Sequence, residues 1–277
     1  MDKYVIVGNP ITHSKSPFIH TLFARETEQK MTYETLKGSL GSFKEEISVF
    51  FTNGGRGCNI TVPFKEDAYA IATVLTERAC LAGAVNTLKK LDDGGILGDN
   101  TDGVGLVHDL LSKHVRLNGA KILLVGAGGA ARGVVYPLLK HNPQQLVIAN
   151  RRVNKAETLA SLFADHSMDN ISASSFEDLS ELKFDVVINS TSASLSNQYP
   201  NIPASVFDKD TVVYDMVYGS GMTSSNQWAI EMGASRVIDG LGMLVGQAAE
   251  SFTIWRKIRP KTSQVLRALR LKLAEQT

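Results

Sequence analysis

Cysteine is scarce in this chain. Cys58 and Cys80 are the only two in 277 residues, and they lack the C-x-x-C spacing of a metal or redox pair. That excludes a disulfide framework and leaves two free thiols, expected to be buried structural residues in a reducing compartment. Long apolar runs are absent too: nothing approaches the ~18 residues of a membrane span. The apolar stretch after Met1-Asp2-Lys3 meets a turn at Gly8, too soon for a signal peptide. Neither sign of charge dominates, since 29 basic against 28 acidic side chains leave a formal charge of +1. This excludes the basic face of a nucleic-acid binder. The expectation is a cytoplasmic protein with no membrane or nucleic-acid partner and no metal. What remains is ordinary: 43% hydrophobic and 21% charged residues, over a length that suggests about two domains.

One stretch carries a clear chemical signal. Lys121-Ile-Leu-Leu-Val125 is short enough for a buried strand, and Gly126-Ala127-Gly128-Gly129-Ala130-Ala131-Arg132 follows directly. Apolar residues then recur at helical spacing from Gly129 to Leu139, and Gln145-Leu-Val-Ile-Ala149 reads as a second strand. Strand, glycine turn, helix and strand within about thirty residues form the βαβ unit that binds a dinucleotide. Gly126, Gly128 and Ala131 fit the G-x-G-x-x-G/A spacing. The first allows the tight turn, the second lets a pyrophosphate approach the backbone, and the third permits close packing of helix on strand. The free N–H groups of the helix N-terminus then face the phosphates. Pro137 lies inside the helix and is expected to kink it. The second strand ends Asn150-Arg151-Arg152, with Lys155 one turn on and no acid before Glu157. A carboxylate there would select NAD through the ribose hydroxyl, whereas arginine forks receive a 2′-phosphate. The alternative is an exposed basic loop; NADP is the preferred cofactor.

The rest of the chain alternates strands with helices. Strands are expected at Tyr4–Val7, Met31–Leu36 and Gly57–Val62, and helices at Pro17–Glu28, Phe43–Phe51 and Phe64–Leu75. A hairpin turns at Asp92-Asp93-Gly94, and the polar segment Gly98–Gly103 marks a domain joint. Further on, helices are expected at Lys155–Phe163, around Trp228, at Gly242–Trp255 and after Pro260, with strands at Asp185–Ile188, Thr211–Asp215 and Val237-Ile238. The fold class is α/β: an N-terminal α/β substrate domain followed by a Rossmann-type, doubly wound parallel sheet, with the active site in the cleft between them. Closure of the domains over bound ligands is expected on general grounds.

A nicotinamide domain handles only the hydride, so substrate and proton must be held elsewhere. The first domain groups polar residues at strand ends: Ser14 and Ser16; Asn59, Thr61 and Lys65; Asn86; and Asp102. Each has a plain structural reading beside the functional one. Ser16 fits a helix cap and Thr61 a strand residue. Lys65 fits a solvated charge in a first helical turn, where the dipole disfavours it. Asn86 and Asp102 fit turn hydrogen bonds.

Taken together, these residues lie in segments that closely resemble the shikimate dehydrogenase family. The segments are Gly8–Pro17, Asn59–Lys65, Gly83–Thr87, Gly98–Gly103, Gly126–Arg132, Asn150-Arg151, Tyr214–Tyr218 and Asp239–Ala249, in the family's order along almost the whole chain. The resemblance implies NADPH-dependent, reversible reduction of 3-dehydroshikimate to shikimate in aromatic amino-acid biosynthesis. It implies that Ser14, Ser16 and Tyr218 hold the substrate carboxylate, and that Asn59, Thr61, Asn86 and Gln247 fix the ring and its hydroxyls. Lys65 and Asp102 match the catalytic pair, also in contact with substrate, and which of the two carries the proton stays open. The cofactor set it implies is Gly126, Ala127, Gly128, Gly129, Ala130, Asn150, Arg151, Arg152, Lys155, Thr191, Met216 and Gly240. It further implies a discontinuous substrate domain, 1–101 with 240–277, around an NADP domain of 102–239, in a monomer or homodimer.

The chain departs from the family pattern in small ways. Arg152 stands where threonine is common and Lys155 where arginine is frequent, both keeping the pocket positive; Asn189-Ser-Thr-Ser-Ala193 differs slightly from the usual loop. The nearest alternative is a quinate/shikimate dehydrogenase with relaxed substrate or cofactor use. Its members tend to carry an acid at the end of the second strand. An alternative of another class is a catalytically silent NADP-binding sensor, against which Lys65 and Asp102 argue.

Overall fold

Continuous burial along the first strand sets the plan of the N-terminal unit. In the computed structural model, which describes residues 1–164 and 170–275, β1 (Asp2–Gly8) points Val5 and Val7 to one face and Tyr4 and Ile6 to the other. Both faces are covered, as the near-continuous apolar run requires. The strand is followed by α1 (Ser16–Glu26), β2 (Met31–Lys37), α2 (Phe43–Thr52), β3 (Gly55–Ile60), α3 (Lys65–Ile71), β4 (Val74–Leu75), α4 (Glu77–Ala82), β5 (Thr87–Lys90) and β6 (Ile96–Asp99). The sheet runs β2-β1-β3-β5-β6-β4. β1 is parallel to β2 and β3, whereas β5 is antiparallel to both β3 and β6. Phe43, Ile47, Phe51 and Phe64 pack on the Val5 and Val7 face.

The second unit follows α5 (Asp102–Ser112). It contains β7 (Lys121–Val125), α6 (Gly129–Leu139), β8 (Gln145–Ala149), α7 (Val153–Ala164), β9 (Ile171–Ser174), β10 (Val186–Asn189), β11 (Val212–Asp215), α8 (Ser224–Glu231) and β12 (Arg236–Asp239). All pairs are parallel, in the order β12-β11-β10-β7-β8-β9. This is the doubly wound arrangement, with strand order reversing on either side of β7. Leu123, Val125, Val147, Val187 and Val213 form the core of one face with Phe184, Phe207 and Ala229.

Two last helices, α9 (Leu241–Arg256) and α10 (Thr262–Ala274), complete the chain. The compact units are Met1–Gly105 with Val245–Leu269, and Leu106–Leu244 with the chain from Arg270 on. Their limits fall a few residues past the expected 101/102 and 239/240, because α5 and α9 are continuous helices that begin in one unit and end in the other. The chain from Arg270 belongs to the second unit, where the Arg270 guanidinium grips both carboxylate oxygens of Asp239 at 2.6 and 2.7 Å. Segments 165–169 and 276–277 of the expected domain ranges lie outside the described residues.

Two expectations need correction. The helix expected over Phe64–Leu75 stops at Ile71; Ala72 is extended, and Val74-Leu75 pairs with Leu97-Gly98 instead. Cys58 is buried, but Cys80 is exposed on the short helix α4. Pro137 lies in the last turn of α6, which runs to Leu139. Among the described residues no helix is long and apolar enough to cross a membrane.

Candidate active site

The antiparallel placement of β5 brings separate motifs into one row. Asn59 lies opposite Thr87, and Thr87 lies opposite Asp99. The exits of β3 and β6 and the entry of β5 therefore share one end of the sheet, together with the exit of β1. The backbone ties them further: Ile60 N–H donates to the Asn86 carbonyl at 2.8 Å, Asn86 N–H to that of Asp99 at 3.0 Å, and Val85 N–H to that of Lys65 at 2.9 Å.

At this end the Lys65 ammonium donates to Asp102 Oδ2 at 2.5 Å, and the Asn86 amide donates to Asp102 Oδ1 at 2.7 Å. Asp102 opens α5, where the helix dipole favours a carboxylate. Lys65 opens α3, where the dipole disfavours a cation, and Asp102, Glu66 and Asp67 offset that. The pair remains accessible, with side chains 20% and 12% exposed. This is an acceptor-only group holding a partly exposed proton donor, a pairing suited to moving a proton at a ligand oxygen.

Behind the pair lies a buried polar network. Asn86 Oδ1 accepts from Thr101 N–H and from the Thr87 hydroxyl, both at 2.9 Å. The Asn59 amide donates toward Asn86 O, Thr87 Oγ1 and Ser251 Oγ, and its oxygen accepts from the Tyr33 hydroxyl at 2.7 Å. Burial pushes the Tyr33 phenol well above its usual range, with a Ser16 hydrogen bond opposing. Gln247, on α9, is half-buried and accepts from the Thr101 hydroxyl at 3.4 Å. The Ser14 hydroxyl accepts from Ser16 N–H at 3.3 Å. Ser16 is buried and makes no cap, so the capping alternative does not hold. Thr61 is half-buried, anchored through its N–H on the Val7 carbonyl.

The fold thus joins Asn59, Lys65, Asn86, Asp102 and Gln247 in one hydrogen-bonded cluster. Ser14 and Ser16 stand together at the β1 exit. Tyr218 belongs to the second unit, after β11, and burial raises its phenol. Tyr33, Thr87, Thr101 and Ser251 were not singled out from the sequence. Thr87 and Thr101 adjoin motif residues, a usable signal, whereas Tyr33 and Ser251 lie 26 and 192 residues from their partner Asn59. Arg78 was also missed: it grips Asp99 with two bonds of 2.7 Å and reaches Glu250 at 3.0 Å, steadying the strand that leads to Asp102.

In the second unit, Gly126 adopts φ +108, open to glycine, and an added Cβ would meet Ser190 Oγ at 2.6 Å. A Cβ on Gly128 or Gly129 would meet nothing within 4 Å, and both residues are exposed with Ala130 at the start of α6. Ala131 is buried against the sheet and Ala127 is half-buried. The helix N-terminus is thus open to a phosphate-sized anion. At the end of β8 the Asn150 amide donates to the Arg152 carbonyl at 2.9 Å. Arg151, Arg152 and Lys155 are exposed, and no acid pairs with them among the described residues. Thr191 and Met216 are half-buried after β10 and β11. Gly240 packs so closely that a Cβ would lie 2.0 Å from the Met216 carbonyl oxygen. An open glycine turn and three uncompensated cations fit a phosphorylated dinucleotide.

Family models match for the shikimate dehydrogenase substrate binding domain over residues 6–88, shikimate / quinate 5-dehydrogenase over 109–197, and the shikimate 5′-dehydrogenase C-terminal domain over 240–270. The chain is 62% identical over 275 residues to a shikimate dehydrogenase (NADP(+)) of Photobacterium profundum, covering 99% of this chain and all of that one (100%). It is 60% identical to the Vibrio atlanticus protein of the same name, over 99% and 98% of the two chains. A shikimate 5-dehydrogenase from Thermus thermophilus, solved with NADP(H) and shikimate, superposes with a TM-score of 0.88 at 28% identity over 99% and 100% of the chains. With matching segments running through both units in order, the chain belongs to the shikimate dehydrogenase family.

Proposed function

We propose that this chain is an NADP-dependent shikimate dehydrogenase, reducing 3-dehydroshikimate to shikimate reversibly, with Lys65 and Asp102 at the reacting C3 oxygen. The observation that carries the catalytic assignment is the 2.5 Å contact between the accessible Lys65 ammonium and Asp102. The cofactor, when bound, supplies the hydride. Gly126, Ala127, Gly128, Gly129 and Ala130 would receive its pyrophosphate, and Asn150, Arg151, Arg152 and Lys155 its 2′-phosphate. Thr191, Met216 and Gly240 would line its remaining length.

The chain's own residues handle the proton and the pose. Lys65 Nζ donates the proton to the C3 oxygen as negative charge develops there, and recovers it in the reverse reaction. Asp102 holds the ammonium in place, and Asn86 holds Asp102 through its other oxygen. Hydroxyls of Ser14, Ser16 and Tyr218 would bind the substrate carboxylate, while Asn59, Thr61, Asn86 and Gln247 orient the ring.

The test is reduction of NADP by shikimate, followed by absorbance, with NAD and quinate run in parallel. Lys65→Ala is expected to lower kcat by about 10²–10⁴-fold with little change in KM. Near-normal kcat with a raised KM would overturn the role given to Lys65. Equal kcat/KM for quinate would instead favour the broader quinate/shikimate activity.

A further inference from the structure

Asp215 is the last residue of β11 and fully buried, and among the described residues no lysine, arginine or histidine pairs with it. Its carboxylate is held by neutral donors from four segments. Asn189 Nδ2 reaches it from the end of β10 at 3.1 Å, and the Ser194 hydroxyl from the following loop at 2.6 Å. Val217 N–H reaches it from its own loop at 3.1 Å, and the hydroxyl of Thr223, the N-cap of α8, also bonds it. Ser225 bridges the set, accepting from Asn189 at 3.1 Å and lying 2.7 Å from the Ser194 hydroxyl.

An ionised carboxylate can only accept hydrogen bonds, so it dictates the direction of every group around it. Asn189 must turn its NH₂ toward Asp215 and its oxygen away. That oxygen then accepts from Thr191 twice, from N–H at 3.0 Å and from the hydroxyl at 2.7 Å. The same loop is tied back to the Asp215 strand, where Met216 N–H donates to the Asn189 carbonyl at 2.9 Å. Burial raises the Asp215 carboxyl and the four donors around it oppose that rise, so an acid is retained here against a desolvation cost. A neutral residue would be cheaper if only packing mattered.

We propose that Asp215 is a positioning residue for the cofactor: it orients Asn189, and through it Thr191, and aligns the loops carrying Thr191 and Met216. This rests on the NADP reading given above. An isosteric amide offers both donor and acceptor, and so lets Asn189 flip and removes the acceptor from Thr191.

The test is NADPH binding and steady-state kinetics of the full chain with Asp215→Asn, and with the exchange Asp215→Asn/Asn189→Asp. The exchange restores an acceptor-only group beside Thr191 and a donor facing it from β11. Asp215→Asn is expected to raise Kd for NADPH about tenfold, the effect of one charged hydrogen bond. KM for shikimate and Tm should hold, or Tm should rise, and the exchange should recover most of the affinity. Unchanged NADPH affinity overturns the inference. So does a loss of Tm that parallels the loss of affinity and is not relieved by the exchange, since that marks a purely structural residue. If Asp215→Asn does not fold, Ser194→Ala removes only the shortest of these bonds, and about a threefold rise in Kd is expected; no rise overturns the inference. A wild-type chain that binds no NADPH overturns the functional reading, and this inference with it.

Discussion

His20 makes stability depend on acid in a way that can be worked out before measurement. Its ring is fully buried, stacked on Tyr33 at 4.1 Å and 8° and edge-on to Phe23 at 5.9 Å. Neither ring nitrogen has a hydrogen-bond partner of good geometry, and among the described residues the Asn59 side chain makes the one polar approach to the ring. Burial lowers its pKa from 6.5 to about 3, with the nearby polar Asn59 opposing the drop. The unfolded chain therefore binds a proton on His20 below about pH 6.5, and the folded chain does so only near pH 3. Between those values the unfolded state holds more protons, so stability falls as pH falls. The loss is ~2 kcal/mol at pH 5 relative to pH 7.5, growing to ~4 kcal/mol by pH 3. His20→Phe keeps the flat ring against Tyr33 and removes the titration. Urea unfolding of both proteins at pH 7.5 and pH 5 isolates this group, because the other acids titrate alike in both. The variant should gain ~2 kcal/mol on wild type between the two conditions. A difference that stays constant with pH would refute the reasoning and mean that His20 finds a proton acceptor in the fold.

Two further outcomes test the cations after β8 and the buried ion pair behind Asp102. Arg151→Ala/Arg152→Ala removes two exposed cations from the end of β8 and should lower kcat/KM for NADPH about a hundredfold while sparing NADH. An equal fall for both cofactors would mean that these arginines do not read the 2′-phosphate. Arg78→Leu strands Asp99, whose side chain is 4% exposed, and should cost about 3 kcal/mol in denaturant unfolding. It should also lower kcat, because Asp99 caps Asn100 N–H at 2.7 Å and Asn100 caps Asp102 N–H at 3.2 Å. Wild-type stability would show that water replaces the guanidinium.

The glycine turn, its flanking strands and the cations after β8 were legible because they are local. Strand, turn and helix follow one another within thirty residues, and the spacing itself encodes the geometry. The motif residues Lys65, Asn86 and Asp102 were equally visible as a set, although nothing local said that they touch. Their contact depends on β5 running antiparallel between β3 and β6, which puts Asn59, Thr87 and Asp99 in one row. β4 was not legible, because two residues carry no period and Val74-Leu75 continues the apolar pattern of the helix before it. The glycine turn and the run of cations after β8 were thus determined by neighbours in sequence.

What only the tertiary structure decided is which groups are held, and by what. Tyr33 and Ser251 clamp Asn59 from 26 and 192 residues away. Asp215, Asn189 and Thr223 meet only because β10 and β11 pair in register, Asn189 opposite Asp215. A hydrogen bond needs its partner within about 3 Å and correctly aimed, and only the folded sheet brings residues so far apart in the chain that close.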